Sequence, residues 1–553
     1  MLTAGERGRG LAAGAASFAT VALFILAPSI ALVSASPAMP GRAIFDSYTL
    51  SLLRFTVLQA VLSTLLSVGL AIPVVLALGR RPAFPGRVWI LRLMAVPMGL
   101  PVLIGALGLI GIFGRQGLLN RMLAMLGLEQ PIGIYGLGGI LLAHVFFNLP
   151  LACRLMLAGL ERLPTETWRL SSSLGMGSWS TFRFIEAPAL TRTLPGAAGL
   201  IFMLCATSFT LVLVLGGGPA ATTLEVAIYQ ALRFDFDPPR AVALSLLQIA
   251  LTACVLIAIS RLPAADVTGG GEGRAPQRFD GKGLGSRVWD GLAILLATVF
   301  LILPLSAIVT AGLKADLWRL LTMPSFRQAA VTSLAIALAA GTLAILVASG
   351  IVLARAAIVD RRKPARFQAL FSGLLAGLSS LVLLVPPVVL GTGWFLLVRP
   401  YTDVARVAPA LIVAINMLMA LPFVVRILEP AYQTHARRTD RLAASLGISG
   451  AARWRLVDWP VLRRPLLMAL SFAMALSLGD LGAVALFGSQ DLTTLPWLVY
   501  SRMGSYRTND ADGLALILGV VCLALTALGT AGAADSNRRP DIATGDHDRE
   551  DGR

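Results

Sequence analysis

About twelve apolar runs recur along this chain, each near the length at which a helix crosses a bilayer, and nothing constrains its fold more. By hydropathy they fall near 11–33, 55–78, 88–113, 133–159, 194–215, 241–260, 288–313, 328–354, 367–397, 405–429, 465–487 and 511–533. The strict alternation of a membrane strand is absent, which argues against an outer-membrane barrel. Composition agrees: of 553 residues 56% are hydrophobic and only 14% charged, and the mean hydropathy is +0.79. The expected fold is all-α, a polytopic membrane protein. Arg7 and Arg9 precede the first run and Ser34-Ala35-Ser36 follows it, as in a signal peptide. Its apolar stretch exceeds the roughly 7–15 residues of a secretory core, so it reads as an uncleaved anchor.

The net charge of +17 excludes less than it suggests. The bases sit between apolar spans rather than on one polar face, which argues against nucleic-acid binding and for the positive-inside rule. One set of connections holds Arg80, Arg81, Arg87 and Arg92, then Arg162, Arg169, Arg183 and Arg192. It continues with Arg355, Arg361, Arg362, Lys363 and Arg366, then Arg437, Arg438, Arg441, Arg453, Arg455, Arg463 and Arg464. The alternate connections are balanced by acids, as at Asp235, Asp237 and Arg240. The basic set is therefore expected in the cytoplasm, with both termini. Cys153, Cys205, Cys254 and Cys522 lie in apolar runs and read as small buried hydrophobes. His144, His435 and His547 are far apart, and no metal-ligand spacing is visible.

Residues 261–287 are Gly-rich and polar and read as a flexible cytoplasmic linker. They separate a first domain, 1–260, from a second, 288–533; the charged stretch 534–553 reads as a disordered cytoplasmic tail. The two domains repeat. Leu149-Pro150 matches Leu421-Pro422, Arg154 matches Arg426, and Ser173-Leu174-Gly175 matches Ser445-Leu446-Gly447. Pro188 matches Pro460 and Arg192 matches Arg464, all at an offset of 272. Pro101-Val102-Leu103-Ile104-Gly105 resembles Pro387-Val388-Val389-Leu390-Gly391 at an offset of 286. Two like halves around a shared axis suit a solute pathway.

Each half carries one short polar loop, RLSSSLGMGSWSTFRFIEAPAL at 169–190 and RLAASLGISGAARWRLVDWPVL at 441–462. Thr165 can cap a short helix that Gly175 ends in a left-handed turn, and Ser178 can cap a second helix that Pro188 limits. Trp179, Phe182 and Ile185 fall three apart on one face. In the other half Ser449 is the cap, Ala451, Trp454 and Val457 form the stripe, and Pro460 is the stop. A single such helix can rest on the lipid surface. Two, with the same Gly and Pro spacing, fit a two-fold symmetric cytoplasmic partner.

These loops resemble the EAA loops of permeases in binding-protein-dependent ABC importers. Gly175, Ile185 and Pro188 fit that pattern, as do Gly447, Val457 and Pro460. Arg169 and Arg441 stand where the family has Glu, and Ser171 replaces an Ala that the second half keeps as Ala443. The resemblance implies a type I importer-like permease of two homologous six-helix halves. It implies that the loops, about 161–190 and 433–462, couple to a homodimer of cytoplasmic ABC ATPase subunits. The coupling residues it points to are Arg169, Ser173, Leu174, Gly175, Trp179, Phe182, Ile185 and Pro188 in the first half. In the second they are Arg441, Ser445, Leu446, Gly447, Trp454, Val457 and Pro460. It also implies a periplasmic solute-binding protein, the bacterial inner membrane, and no catalytic residue or cofactor in this chain. ATP and Mg would be bound by the ATPase, consistent with the absence of GxxxxGK[ST] from this sequence. Fusion of two permease domains narrows the resemblance to thiamine and ferric-ion importers. The stretch 477–518, SLGDLGAVALFGSQDLTTLPWLVYSRMGSYRTNDADGLALIL, is similar to the thiamine/thiamine pyrophosphate permeases.

Asp480 is the most informative single residue, because it lies inside the apolar run 465–487. A carboxylate there either faces a cavity or serves structure, in a pair with a buried Arg or as a helix cap. Its repeat mate is Ser208, so the pair is the candidate translocation-path site. A thiazolium cation would be offset by such an acid. Asn148 and Asn416 read as helix–helix hydrogen bonders, and Glu429 as a partner of Arg426. Pro97, Pro101, Pro386 and Pro387 should kink or break path-lining spans. Trp497, Tyr500 and Tyr506 read as an interfacial belt. A ferric-ion or other small-solute importer remains the alternative within the class. A secondary transporter would need several intramembrane acids, and a membrane enzyme a convergent Ser/His/Asp or metal set.

Overall fold

The computed structural model describes residues 4–35, 46–127, 131–261, 278, 283–359, 366–381, 385–488, 492–505 and 507–534. Among them the secondary structure is helical. The first half holds α1 (Ala4–Ala35), α2 (Ser47–Arg80), α3 (Arg87–Leu93), α4 (Val96–Gly99), α5 (Val102–Phe113), α6 (Leu118–Met125) and α7 (Leu137–Leu160). It continues with α8 (Thr165–Ser173), α9 (Ser178–Thr181), α10 (Ala187–Ala206), α11 (Thr210–Leu215), α12 (Leu224–Arg233) and α13 (Pro238–Ser260). The second half holds α14 (Leu284–Gly312), α15 (Leu317–Thr322), α16 (Pro324–Val359), α17 (Arg366–Leu381), α18 (Pro387–Val398) and α19 (Val404–Ser445). It ends with α20 (Gly450–Arg453), α21 (Trp459–Gly479), α22 (Gly482–Phe487), α23 (Leu495–Gly504) and α24 (Thr508–Ala534). Eleven helical stretches among the described residues are long and apolar enough to cross a membrane, and α18 is a shorter apolar helix.

The halves hold each other by exchanging their first helices. α1 packs along α16 and α18 of the second half, and α14 packs along α2 and α5 of the first. Small residues permit the crossings. A Cβ at Gly14 would come within 2.2 Å of Ala354 Cβ, and one at Gly350 within 2.8 Å of the Ala13 carbonyl oxygen. A Cβ at Gly108 would meet the Pro304 carbonyl oxygen at 2.5 Å. Without a hydrophobic drive between lipid-bathed helices, such close backbone packing is what holds them.

Four differences from the hydropathy reading are seen, three of which follow from where proline stands. The run 88–113 is divided into α3, α4 and α5, with Pro97 in the first turn of α4 and Pro101 immediately before α5. Pro386 and Pro387 open α18 in the same way. The runs 194–215 and 465–487 are each broken, at 207–209 and 480–481. The span 405–429 does not end near 429, for α19 continues to Ser445. In the first half Pro164 separates α7 from α8; its counterpart at the 272 offset is Ala436, which lets the helix run on.

Buried polar contacts follow the repeat. Asn148 Nδ2 donates to Cys205 Sγ (3.4 Å) and Asn416 Nδ2 to Ser477 Oγ (2.8 Å), as the helix–helix reading expects. Leu224 N–H donates to Thr56 Oγ1 (3.0 Å) and Leu495 N–H to Ser333 Oγ (2.8 Å). Two expectations are corrected. Glu429 pairs with Arg355 of α16 rather than with Arg426. Cys254 is exposed on α13, while the other three cysteines are buried. Trp497 and Tyr500 are half-buried on α23, packed on the core and against each other (5.7 Å). Tyr506, residues 361–363 and the tail beyond 534 lie outside the described residues.

Candidate functional site

The two polar loops share one backbone. In the first, Gly175 (φ +61°) follows α8; its N–H donates to Ser172 O (3.1 Å) and the Met176 N–H to Ser171 O (3.0 Å). In the second, Gly447 (φ +64°) donates to Ala444 O (3.2 Å) and Ile448 to Ala443 O (2.9 Å). This paired pattern is a Schellman motif, and its left-handed residue carries no steric cost only as glycine. Ser173 Oγ and Ser445 Oγ each donate back to a carbonyl three residues earlier (2.9 Å).

The second arm of each loop differs from the expectation in a consistent way. Pro188 and Pro460 do not stop their helices. The segments Phe182–Glu186 and Trp454–Asp458 are wider π-turns, through which α9 passes into α10 and α20 into α21. The Ala187 N–H reaches Phe182 O and the Trp459 N–H reaches Trp454 O, so the extra residue absorbs the bond each proline cannot make. The expected side-chain caps are also absent. Thr165 and Ser178 are the first helical residues behind Pro164 and Gly177, and Ser449 sits at the cap position without a side-chain bond. The Gly450 N–H instead donates to Glu6 Oε1 of α1 (3.2 Å).

The outer faces are apolar and uncovered. Leu170 and Leu442 are 61% exposed, Leu174 68%, Leu446 64% and Trp179 72%. Trp454 is exposed, Phe182, Ile185 and Val457 are half-buried, and Phe182 stacks on Trp179 (5.6 Å). Arg169, Arg441, Pro188 and Pro460 are exposed. Leu170 and Leu442 were missed by the sequence reading, although the repeat itself marks them.

Asp480 and Ser208 lie at the two helix breaks, so the acid is not inside a continuous helix. Asp480 Oδ1 accepts from the Gly482 N–H (3.1 Å) and Oδ2 from the Ala483 N–H (3.2 Å). Of the alternatives for this acid, the helix cap is therefore realised, on α22. Ser208 donates its backbone N–H to Cys205 O (3.3 Å). The breaks meet across the halves. A Cβ at Gly479 would lie 3.2 Å from Pro101, and one at Gly482 would lie 3.6 Å from Phe209 and 4.0 Å from Pro387. Phe209 packs edge-on against Tyr229 (5.4 Å), and Arg233 Nη2 donates to Gly488 O (2.9 Å). A carboxylate, two aromatic rings and interrupted helices thus share the seam between halves. Among the described residues no group of three or more His, Cys, Asp or Glu side chains could hold a metal ion.

Residues 69–264 match the family described as binding-protein-dependent transport system inner membrane component. The chain is similar to the thiamine transport system permease protein ThiP of Brucella abortus, 49% identical over 92% of each chain. It is 43% identical to ThiP of Escherichia coli, over 87% of this chain and 88% of that one. It is 36% identical to ThiP of Haemophilus influenzae, over 93% and 95% respectively. At such identity over nearly full length, the chain belongs to this family of permease proteins, the inner membrane components of binding-protein-dependent transport systems.

Proposed function

We propose that the chain is the permease subunit of an ATP-driven importer that moves thiamine from a periplasmic binding protein into the cytoplasm. The observation that carries this is the 49% identity, over 92% of both chains, to a thiamine transport permease. Both termini and both polar loops lie on the cytoplasmic side. The exposed apolar faces around Leu174 and Trp179, and around Leu446 and Trp454, dock on a homodimer of ABC ATPase subunits, which binds ATP and Mg. Two equivalent loops let one closure of that dimer move both halves at once. Arg169, Ser173, Gly175, Ile185 and Pro188, with Arg441, Ser445, Gly447, Val457 and Pro460, set the shape of the docking arms. Asp480 and Ser208 border the path, and the acid favours a cationic solute.

The test is co-purification with the candidate ATPase, then ATP hydrolysis in proteoliposomes containing the binding protein. Thiamine-dependent hydrolysis with thiamine uptake is the expected result. ATP-driven uptake of ferric ion or another solute, without thiamine uptake, overturns the substrate. Uptake driven by an ion gradient without any ATPase overturns the class.

A further inference from the structure

Each polar loop is closed by a guanidinium, and the two guanidinia come from different places. In the second half Arg453 of α20 bridges the two arms. It pairs with Asp440 on the first arm (2.5 Å) and with Asp458 on the second (Nε to Oδ2, 3.3 Å). His435 Nε2 adds a contact to Asp458 Oδ1 at 2.8 Å. At the 272 offset, the first-half counterparts of Asp440 and Asp458 are Trp168 and Glu186. The counterpart of Arg453 is Thr181, a fully buried residue too short to span the arms.

The missing base is supplied from outside the loop. Arg278 belongs to the sequence that joins the two halves, 92 residues after Glu186. Its Nη2 lies 2.7 Å from Glu186 Oε1, with both side chains almost wholly buried. Its guanidinium also lies over the Trp168 ring, 4.1 Å from the centroid. Arg278 therefore touches the same two positions, one on each arm, that Arg453 touches in the other half. Trp168 replaces the first carboxylate with a π face, which suits a planar, weakly hydrated cation. Gly79 of α2 lies alongside, where a Cβ would stand in ordinary contact 3.5 Å from Arg278 Nη1.

We propose that Arg278 is a positioning residue for the first coupling loop, holding its two arms at the angle that Arg453 sets in the second. The proposal rests on the reading of these loops as ATPase docking sites. A buried carboxylate deprived of its partner is costly, whereas removal of both charges is tolerated far better. Hence Arg278→Met should disturb the first loop and leave the second alone, and the disturbance should be reversible in two ways. Glu186→Gln removes the stranded charge. Thr181→Arg transplants the arrangement of the second half.

The experiment uses the full-length permease with its ATPase in membranes. Met176→Cys or Ile448→Cys, one per loop, is cross-linked to the ATPase and normalised to inserted permease. Arg278→Met should lower cross-linking at 176 at least about tenfold and leave 448 unchanged. Adding Thr181→Arg or Glu186→Gln should restore the signal at 176. Equal cross-linking at both loops in Arg278→Met overturns the proposal. So does equal loss at both loops, or loss at 176 that neither second change restores. If Arg278→Met fails to insert, the Arg278→Met/Glu186→Gln protein is compared instead, and unrestored insertion also overturns it. Failure of the otherwise unaltered permease to cross-link at either loop would sink the docking reading rather than the role of Arg278.

Discussion

Proline at the left-handed turn of either loop should uncouple transport in a correctly inserted protein. Gly175 holds φ at +61° and Gly447 at +64°, and no atom lies within 4 Å of a Cβ placed at either. Alanine there meets no neighbour, so its cost is the backbone conformation alone, about 1–2 kcal/mol. That is a roughly 5–30-fold bias against the observed turn. Proline is different in kind, because its ring fixes φ near about −65° and cannot reach the left-handed region. It also deletes the N–H that Gly175 gives to Ser172 O at 3.1 Å, and the neighbouring Met176–Ser171 bond cannot survive the opened turn. The turn is at an exposed tip, so the membrane core is untouched. The assay is uptake of labelled thiamine normalised to inserted protein. Gly175→Ala should retain part of the activity, with the loss bounded by that bias, and Gly175→Pro or Gly447→Pro alone should abolish it. Normal uptake by either inserted proline variant would refute the reasoning. Alanine as damaging as proline would show that the side chain, not the backbone angle, is what the partner reads.

Asp480→Asn keeps one of the two backbone N–H bonds that the carboxylate accepts and removes the charge, so most inserted protein should remain while normalised thiamine uptake falls; wild-type uptake would rule out a role toward the cation. Lost protein with unchanged specific uptake would leave Asp480 a structural cap only. Ser178→Cys and Ser449→Cys should resist a membrane-impermeant thiol reagent in intact cells and react after permeabilisation; labelling from outside would invert the proposed topology. Gly350→Val should force α1 away from α16, because even its Cβ would overlap Ala13 O and Ser17 Oγ. The expected cost is about 1–3 kcal/mol, read as a lower melting temperature in detergent, and an unchanged melting point would contradict the exchanged-helix packing.

What the sequence alone determined is local or periodic. Span length and apolarity dictate helices because hydrocarbon offers the backbone no other partner. The repeat at 272 residues marks two equivalent halves, and glycine after a short polar helix marks the Schellman turn, since both signals act within a few residues. Tertiary structure decided whatever depends on which apolar surface meets which. Hydropathy cannot tell α1 from α14 as a neighbour for α16; the fit of Gly14 against Ala354 can. Nor can it see the breaks at Ser208 and Asp480, because Gly479 and Gly482 are as compatible with an apolar run as with its interruption. Once the helix is broken there, Asp480 finds two free N–H groups and becomes a cap. Pro188 and Pro460 read as stops, yet a π-turn ahead of each carries the helix through. The acids Glu186 and Asp458 stand at matching positions of the repeat, but only Asp458 has its guanidinium close in sequence. The partner of Glu186 is Arg278, 92 residues further on, and an ion pair of that separation exists only once the chain between them has folded back on the first loop.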